Sequence, residues 1–327
     1  MLNFASYICK CQIFLVTLHV KTFNDTLYSM ITHNQYTHRY SLTAADMDTR
    51  YRMAPNAVLL YYQDCWARFM SCLHLAAFDI VKMQRLWVIT EFNACFEQQT
   101  ALWSDDIDVT VWNSEISTLR LYAEFRVRRT DGIEVAHGYG CWTLLDTDSH
   151  RLAPLTPIQT LIPILPEVTS DNHRKRRFPT DGTTLQQLEH RVNPINLDFN
   201  GHVNNRTYLS IAMQSADEPF MDAYAIRCLT IHWLKETFLG DTLLCRLTLL
   251  PNNDSPDSVY HYLHTITRYT AAPSTESTLA STAPSAESTT APAAEATAPT
   301  TEIAAQVYSE WVPRKQNIDA SLHVKRE

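Results

Sequence analysis

The sequence predicts an α+β fold in which one helix is wrapped by an antiparallel sheet, with the whole unit present twice. Three observations lead there. A helix-spaced apolar segment is followed by a run of alternating strands. The same order recurs after residue 190. A segment rich in proline and charge separates the two copies.

The first helix is expected from Pro55 to about Ala77. Ala57, Leu60, Tyr61, Asp64, Cys65, Arg68, Phe69 and Cys72 follow a three-four spacing, which makes one face mostly apolar. Strands are expected at 86–97, 106–113, 118–129 and 133–146. The third is the clearest: Leu119, Leu121, Ala123, Phe125 and Val127 alternate with Arg120, Tyr122, Glu124, Arg126 and Arg128. Thr130-Asp131-Gly132 supplies a hairpin turn to the next strand.

The second copy begins near Arg191. Its helix is expected from Val203 to Asp217, and its strands at 225–235, 241–250, 259–269 and 303–313. Between the last two lies 270–302, almost entirely Ala, Ser, Thr, Pro and Glu, with near-repeats APSTES, APSAES and APAAEA. Such a tract has too little large apolar surface to offset its ordering entropy, so it reads as a disordered loop inserted in a hairpin. The resulting division is an N-terminal extension (1–35), a first domain (36–150), a linker (151–185), a second domain (186–313) carrying the insert, and a tail (314–327). The linker contains the basic run His173-Arg174-Lys175-Arg176-Arg177. A solvated linker and a docking patch for an acidic partner are both open readings of that run.

Composition excludes several classes. A net charge of −8 opposes a general nucleic-acid binder. The apolar run Ile13 to Val20 is far shorter than the roughly 20 residues of a spanning helix. With Lys10 the only positive charge before it and no small-residue cleavage site close behind, secretion is not expected, and Met30 and Met47 are later candidate starts. The 8 cysteines lack zinc-ligand spacing and are expected as buried, reduced thiols in a cytoplasmic protein. The scattered histidines likewise lack metal-ligand spacing, and neither a metal nor a cofactor is expected.

The segment Asp198-Phe-Asn200-Gly-His202-Val-Asn204-Asn205-Arg-Thr-Tyr208-Leu concentrates chemistry just before the second helix. If extended there, Asp198, Asn200 and His202 share a face. Asn204 and Asn205 fall where amide side chains cap a helix, and unpaired helix N–H groups suit a developing oxyanion. A capped helix after an ordinary polar turn accounts for the same residues.

DFNGHVNNRTYL resembles the D-x-N-x-H-V-N-N-x-x-Y signature of the acyl-acyl-carrier-protein thioesterases, a family of two fused hot-dog domains. Leu229 to Thr242, containing Glu236 and Gly240-Asp241, is similar to that family's glutamate-bearing strand. The first half matches more loosely, at Asp48 to Pro55, Leu86-Trp87-Val88 and Trp142 to Asp146. The resemblance implies two tandem hot-dog domains and hydrolysis of fatty acyl thioesters of acyl carrier protein. It implies a catalytic set of Asp198, Asn200, His202 and Glu236, with Asn204, Asn205 and Trp87 contacting substrate. Plant members carry a cysteine after this glutamate; Thr237 stands there, which disfavours a cysteine nucleophile. The first half has Arg50 and Arg52 at the signature's Asn and His steps, so one active site per chain is expected, with the first domain forming the acyl pocket. Glu97, and Asp105 or Asp106, are weaker candidates to echo Glu236 and Asp241, and solvated strand ends explain them as well. An acyl-CoA thioesterase, a dehydratase of the same fold and a non-catalytic acyl-binding homologue are the alternatives, and the chain is expected to be a monomer or homodimer.

Overall fold

A computed structural model describes residues 31–49, 51–97, 100–169, 177–251, 259–269 and 301–314. The N-terminal stretch before residue 31, most of the basic run and the bulk of the low-complexity insert lie outside them.

The first lobe comprises β1 (Ile31–Thr32), β2 (Gln35–Ser41), α1 (Pro55–Cys72), the short α2 (Ala77–Ile80), β3 (Arg85–Phe96), β4 (Asp106–Ile116), β5 (Leu121–Arg129), β6 (Glu134–Asp146) and β7 (Leu152–Ala153). The second comprises β8 (Thr183–Arg191), α3 (Asn205–Gln214), α4 (Glu218–Ala223), β9 (Tyr224–Trp233), β10 (Thr242–Leu249), β11 (Tyr260–Tyr269) and β12 (Thr301–Pro313). The strands form one antiparallel sheet in the order β1-β2-β4-β5-β6-β3-β9-β12-β11-β10-β8, with β7 on β6. Each lobe is thus a helix held against its own curved half-sheet, the hot-dog arrangement.

Helix α1 is amphipathic, as its spacing predicts. It buries Ala57, Val58, Leu59, Tyr61, Tyr62, Cys65, Trp66, Phe69 and Met70. Pro55 at its first position costs no hydrogen bond, because that N–H has no partner inside the helix. Trp66 stacks on Trp142 at 3.8 Å between ring centroids, which fixes the helix on β6. Gly140 is required beneath Tyr62: a Cβ there would lie 2.2 Å from the Tyr62 hydroxyl.

The lobes join through β3 and β9, paired from Glu91↔His232 to Cys95↔Cys228. Asn93, fully buried on this seam, donates to Leu229 O at 3.1 Å and to Thr230 Oγ1 at 2.9 Å. The two long helices meet through Asn56 Nδ2 donating to Ser210 Oγ at 3.3 Å. Cys95 and Cys228 are disulfide-bonded, whereas Cys65, Cys72, Cys141 and Cys245 are buried thiols outside any disulfide. The expectation of wholly reduced thiols therefore fails at this pair. The two cysteines are 133 residues apart in sequence, and only the seam register makes them neighbours.

The expected linker, as far as it is described, packs against the first lobe. Leu155, Ile158 and Ile162 are buried, Trp112 Nε1 donates to Glu167 O at 2.9 Å, and the fully buried Glu124 accepts from Thr169 N and Oγ1 at 3.0 and 2.8 Å. It straps the outer face of the first-lobe sheet and, together with Ser114 Oγ donating at 2.8 Å, satisfies the buried Glu124 carboxylate. Its C-terminal part already belongs to β8, an edge strand. The second helix is shorter than expected, ending at Gln214 before the separate α4, which Asp217 caps by accepting from Phe220 N–H at 2.7 Å.

Candidate active site at the N-terminus of the second helix

Residues 198–203 are not extended. Asp198 N–H donates to His202 O at 2.8 Å, Gly201 N–H donates to Asp198 O at 3.1 Å, and Leu197 bridges Val203. Gly201 sits at φ +79°, a left-handed conformation that suits glycine. The Asp198 carboxylate clasps this turn: its Oδ1 accepts the Asn200 N–H at 2.8 Å and the His202 N–H at 3.3 Å. Asp198, Asn200 and His202 are gathered by the turn rather than by strand alternation.

The turn delivers His202 to Glu236. His202 Nδ1 is 3.8 Å from Glu236 Oε1, with side-chain exposures of 32% and 43%. That is ion-pair range, longer than a hydrogen bond. The approach is set by backbone: Val203 N–H donates to Thr237 O at 2.9 Å, and Arg268 Nη1 donates to Glu236 O at 2.7 Å. Phe238 stands edge-on to the His202 ring at 5.1 Å and walls one side. Thr237 is fully buried with its hydroxyl against that of Tyr208, so it points away from solvent. Burial pushes the Tyr208 hydroxyl up to about 12.

Other expected residues have different placements. Asn204 is the N-cap of α3, its Oδ1 accepting Arg206 N–H at 2.9 Å, so its amide oxygen is spent on the helix. Asn205 opens the helix, half-buried. The Asn200 side chain is exposed and makes no hydrogen bond with any described residue. Trp87 belongs to the first-lobe core, donating to Leu75 O at 2.8 Å and standing edge-on to Trp66. Phe238 and Arg268 were not singled out in the sequence; Phe238 was legible only by its nearness to Glu236, and Arg268 carried no signal.

The first lobe repeats the same backbone with different side chains. Asp48 N–H donates to Arg52 O at 2.7 Å, Asp48 Oδ1 accepts Arg52 N–H at 3.0 Å, and Met53 N–H donates to Ala101 O at 2.9 Å. Asp105 accepts Leu102 N–H as Asp241 accepts Phe238 N–H, at 2.9 and 3.0 Å. Arg52 therefore occupies the place of His202, and Thr100, next to Ala101, that of Glu236. The echo expected of Asp105 is present; Glu97 and Asp106 do not fill those places. Glu97, Glu134 and His137 approach one another, but Arg126 and Arg128 pair with Glu134, so the group is already neutralised.

Family models for the acyl-ACP thioesterase N-terminal and C-terminal domains match residues 33–159 and 180–282, together more than half of the chain. The chain belongs to the acyl-ACP thioesterase family. The thioesterase of this family described as palmitoyl-acyl carrier protein thioesterase, chloroplastic, from Gossypium hirsutum is 21% identical over 189 residues, covering 55% of this chain and 45% of that one. The oleoyl-acyl carrier protein thioesterase 2 of Arabidopsis thaliana is 20% identical, covering 54% and 50%. The chain thus spans about half the length of the curated thioesterases it matches. Among solved structures, a putative oleoyl thioesterase from Lactobacillus plantarum superposes with a TM-score of 0.67 at 15% identity, covering 88% of this chain and 100% of that one. The 12:0-ACP thioesterase from Umbellularia californica gives 0.65 at 14%, covering 85% and 94%. At these identities the likeness shows the double hot-dog fold. Among the described residues no helix is long and apolar enough to cross a membrane.

Proposed function

We propose that this protein hydrolyses fatty acyl thioesters carried on the phosphopantetheine of acyl carrier protein, releasing free fatty acid and the thiol, with one catalytic site per chain in the second lobe. The observation that carries the reading is the approach of His202 to Glu236 beside the first turn of α3. Family membership supports the reaction class.

In this reading Glu236 takes a proton from the attacking water, and His202 orients that water and returns a proton to the departing thiolate. Asp198 is assigned no proton transfer, because its Oδ1 is occupied by two backbone N–H groups. Its work is to hold His202 in place. Asn200, exposed on the turn, is free to meet the thioester or the water. Helix N–H groups near Asn205 face the carbonyl oxygen as it becomes negative. Thr237 is no nucleophile here, being bonded to Tyr208. Asn205 and Trp87 remain proposed substrate contacts, Trp87 through the first-lobe acyl pocket. No cofactor is required.

A cytoplasmic setting is part of the proposal. The buried thiols outside the disulfide support it, and the Cys95–Cys228 bond, of a kind usual in oxidising compartments, weighs against it. Arg174, Lys175, Arg176 and Arg177 are proposed to meet the acidic carrier protein. The deciding experiment is to incubate the purified chain with matched acyl-carrier-protein and acyl-CoA substrates and measure free fatty acid and free thiol. Carrier-protein thioesters cleaved at higher kcat/KM support the reading; hydrolysis of neither overturns it, and preference for acyl-CoA reassigns the substrate.

A further inference from the structure

The first-lobe counterpart of the candidate site is a cavity of about 390 Å³, walled by both lobes. Met53, Phe96, Ile226 and Val312 give it an apolar lining, and Arg52, Asp48, Glu97 and Thr100 reach it from the first lobe. Its backbone matches the catalytic turn, yet its side chains differ at the two positions that matter. Arg52 replaces the imidazole and Thr100 replaces the carboxylate. That exchange removes the group able to deprotonate water and installs a permanent cation.

We propose that this cavity is a second, non-catalytic site that binds a free fatty acid, with the carboxylate on Arg52 and the chain along the apolar wall. Four observations converge on that ligand class. The half-buried Arg52 guanidinium makes no ion pair or hydrogen bond with any described residue. Arg227 and Arg314, the other arginines of the cavity, are engaged by Glu310 and by Met221 O. A cation beside apolar surface gains most from an anion that brings its own apolar body. Asp48 and Glu97 line the same cavity, so a monoanion is favoured over a doubly charged phosphate. The volume falls at the low end of the roughly 300–1,000 Å³ of ligand pockets, which suits a medium chain. This site goes beyond the proposed hydrolysis and needs no turnover, although its ligand is of the class that reaction releases.

The test is calorimetric titration of the full chain with dodecanoate, with dodecanol and phosphopantetheine as comparisons. It is repeated on Arg52→Leu and Arg52→Lys, and on each of these in a His202→Ala background to subtract binding at the catalytic lobe. Loss of one charge-assisted contact corresponds to a drop of about tenfold or more in Arg52→Leu, with Arg52→Lys retaining most of the affinity. The Arg52-dependent binding survives in the His202→Ala background, and dodecanol and phosphopantetheine bind far more weakly. Unchanged dodecanoate affinity in folded Arg52→Leu overturns the site, as does dodecanol binding equal to dodecanoate. Hydrolysis of acyl-carrier-protein thioesters is assayed in parallel. Binding without hydrolysis sinks the proposed function alone, and hydrolysis without Arg52-dependent binding sinks this site alone.

Discussion

His202 Nδ1 lies 3.8 Å from Glu236 Oε1, and the backbone hydrogen bond from Val203 N–H to Thr237 O joins the segments that carry them. If they work as one acid–base unit, His202→Ala and Glu236→Ala each lower turnover by about 100-fold or more. The double variant loses little beyond the worse single change, because the unit is already broken. Steady-state kinetics on variants shown folded by circular dichroism check this. Near-native turnover in both single variants removes the catalytic assignment.

Asp198 is expected to separate from that pair. Its oxygen holds two backbone N–H groups, a job that an asparagine oxygen also does. Asp198→Asn therefore keeps stability and most turnover, whereas Asp198→Ala loses about 1–3 kcal/mol of stability along with turnover. Equal damage from both substitutions would mean that the negative charge itself is used in the reaction.

Acid should destabilise the fold through two histidines. His264 is fully buried between Ser215 and Ser309, and burial lowers its pKa to about 3; burial lowers that of His232 to about 4. A depressed histidine stays neutral in the fold while the unfolded chain takes up the proton. Their contribution is thus fully present above the free-histidine value of about 6.5, and is lost as pH falls from there toward the folded values. Each contributes a slope of up to about 1.4 kcal/mol per pH unit. Urea unfolding at pH 7, 6 and 5 reads it out, and His264→Gln flattens the dependence. A stability curve flat over this range refutes the assignment.

The Cys95–Cys228 bond should appear in peptide maps made without reductant, with Cys65, Cys72, Cys141 and Cys245 alkylatable only after unfolding. Since the bond closes a long loop across the lobe seam, reducing it costs roughly 2–4 kcal/mol. The melting point before and after reduction measures this. Recovery of Cys95 and Cys228 as free thiols from unreduced protein contradicts the pairing.

The low-complexity insert joins β11 to β12 where Tyr269 is paired with Thr301. Antiparallel strand ends so close are bridged by two residues. Replacing 270–300 with Asn-Gly is expected to leave the melting temperature and turnover within error. A fall in either would show that the tract contributes binding or packing.

The sequence alone determined the repeating order of helix and strands, because burial on one face imposes a period that survives in the residue pattern. Helix α1 and strand β5 were legible for that reason. Strand β8 was not: it is an edge strand with mostly exposed side chains, so TTLQQLEHR carries no apolar alternation. The Asp198–Glu236 segments were legible as a signature, but their geometry was not. Extended alternation and a tight turn both place residues 198, 200 and 202 together, and only the backbone bonds around Gly201 chose the turn.

Tertiary structure alone decided which groups correspond between lobes and which cysteines meet. By residue type Glu97 is the natural echo of Glu236. The Met53–Ala101 bond instead puts Thr100 there, beside Arg52. Likewise nothing local links Cys95 to Cys228; the register of β3 on β9 does. Short-range periodicity is written along the chain, whereas a pairing across the seam between two lobes depends on how both sheets pack, which no single segment encodes.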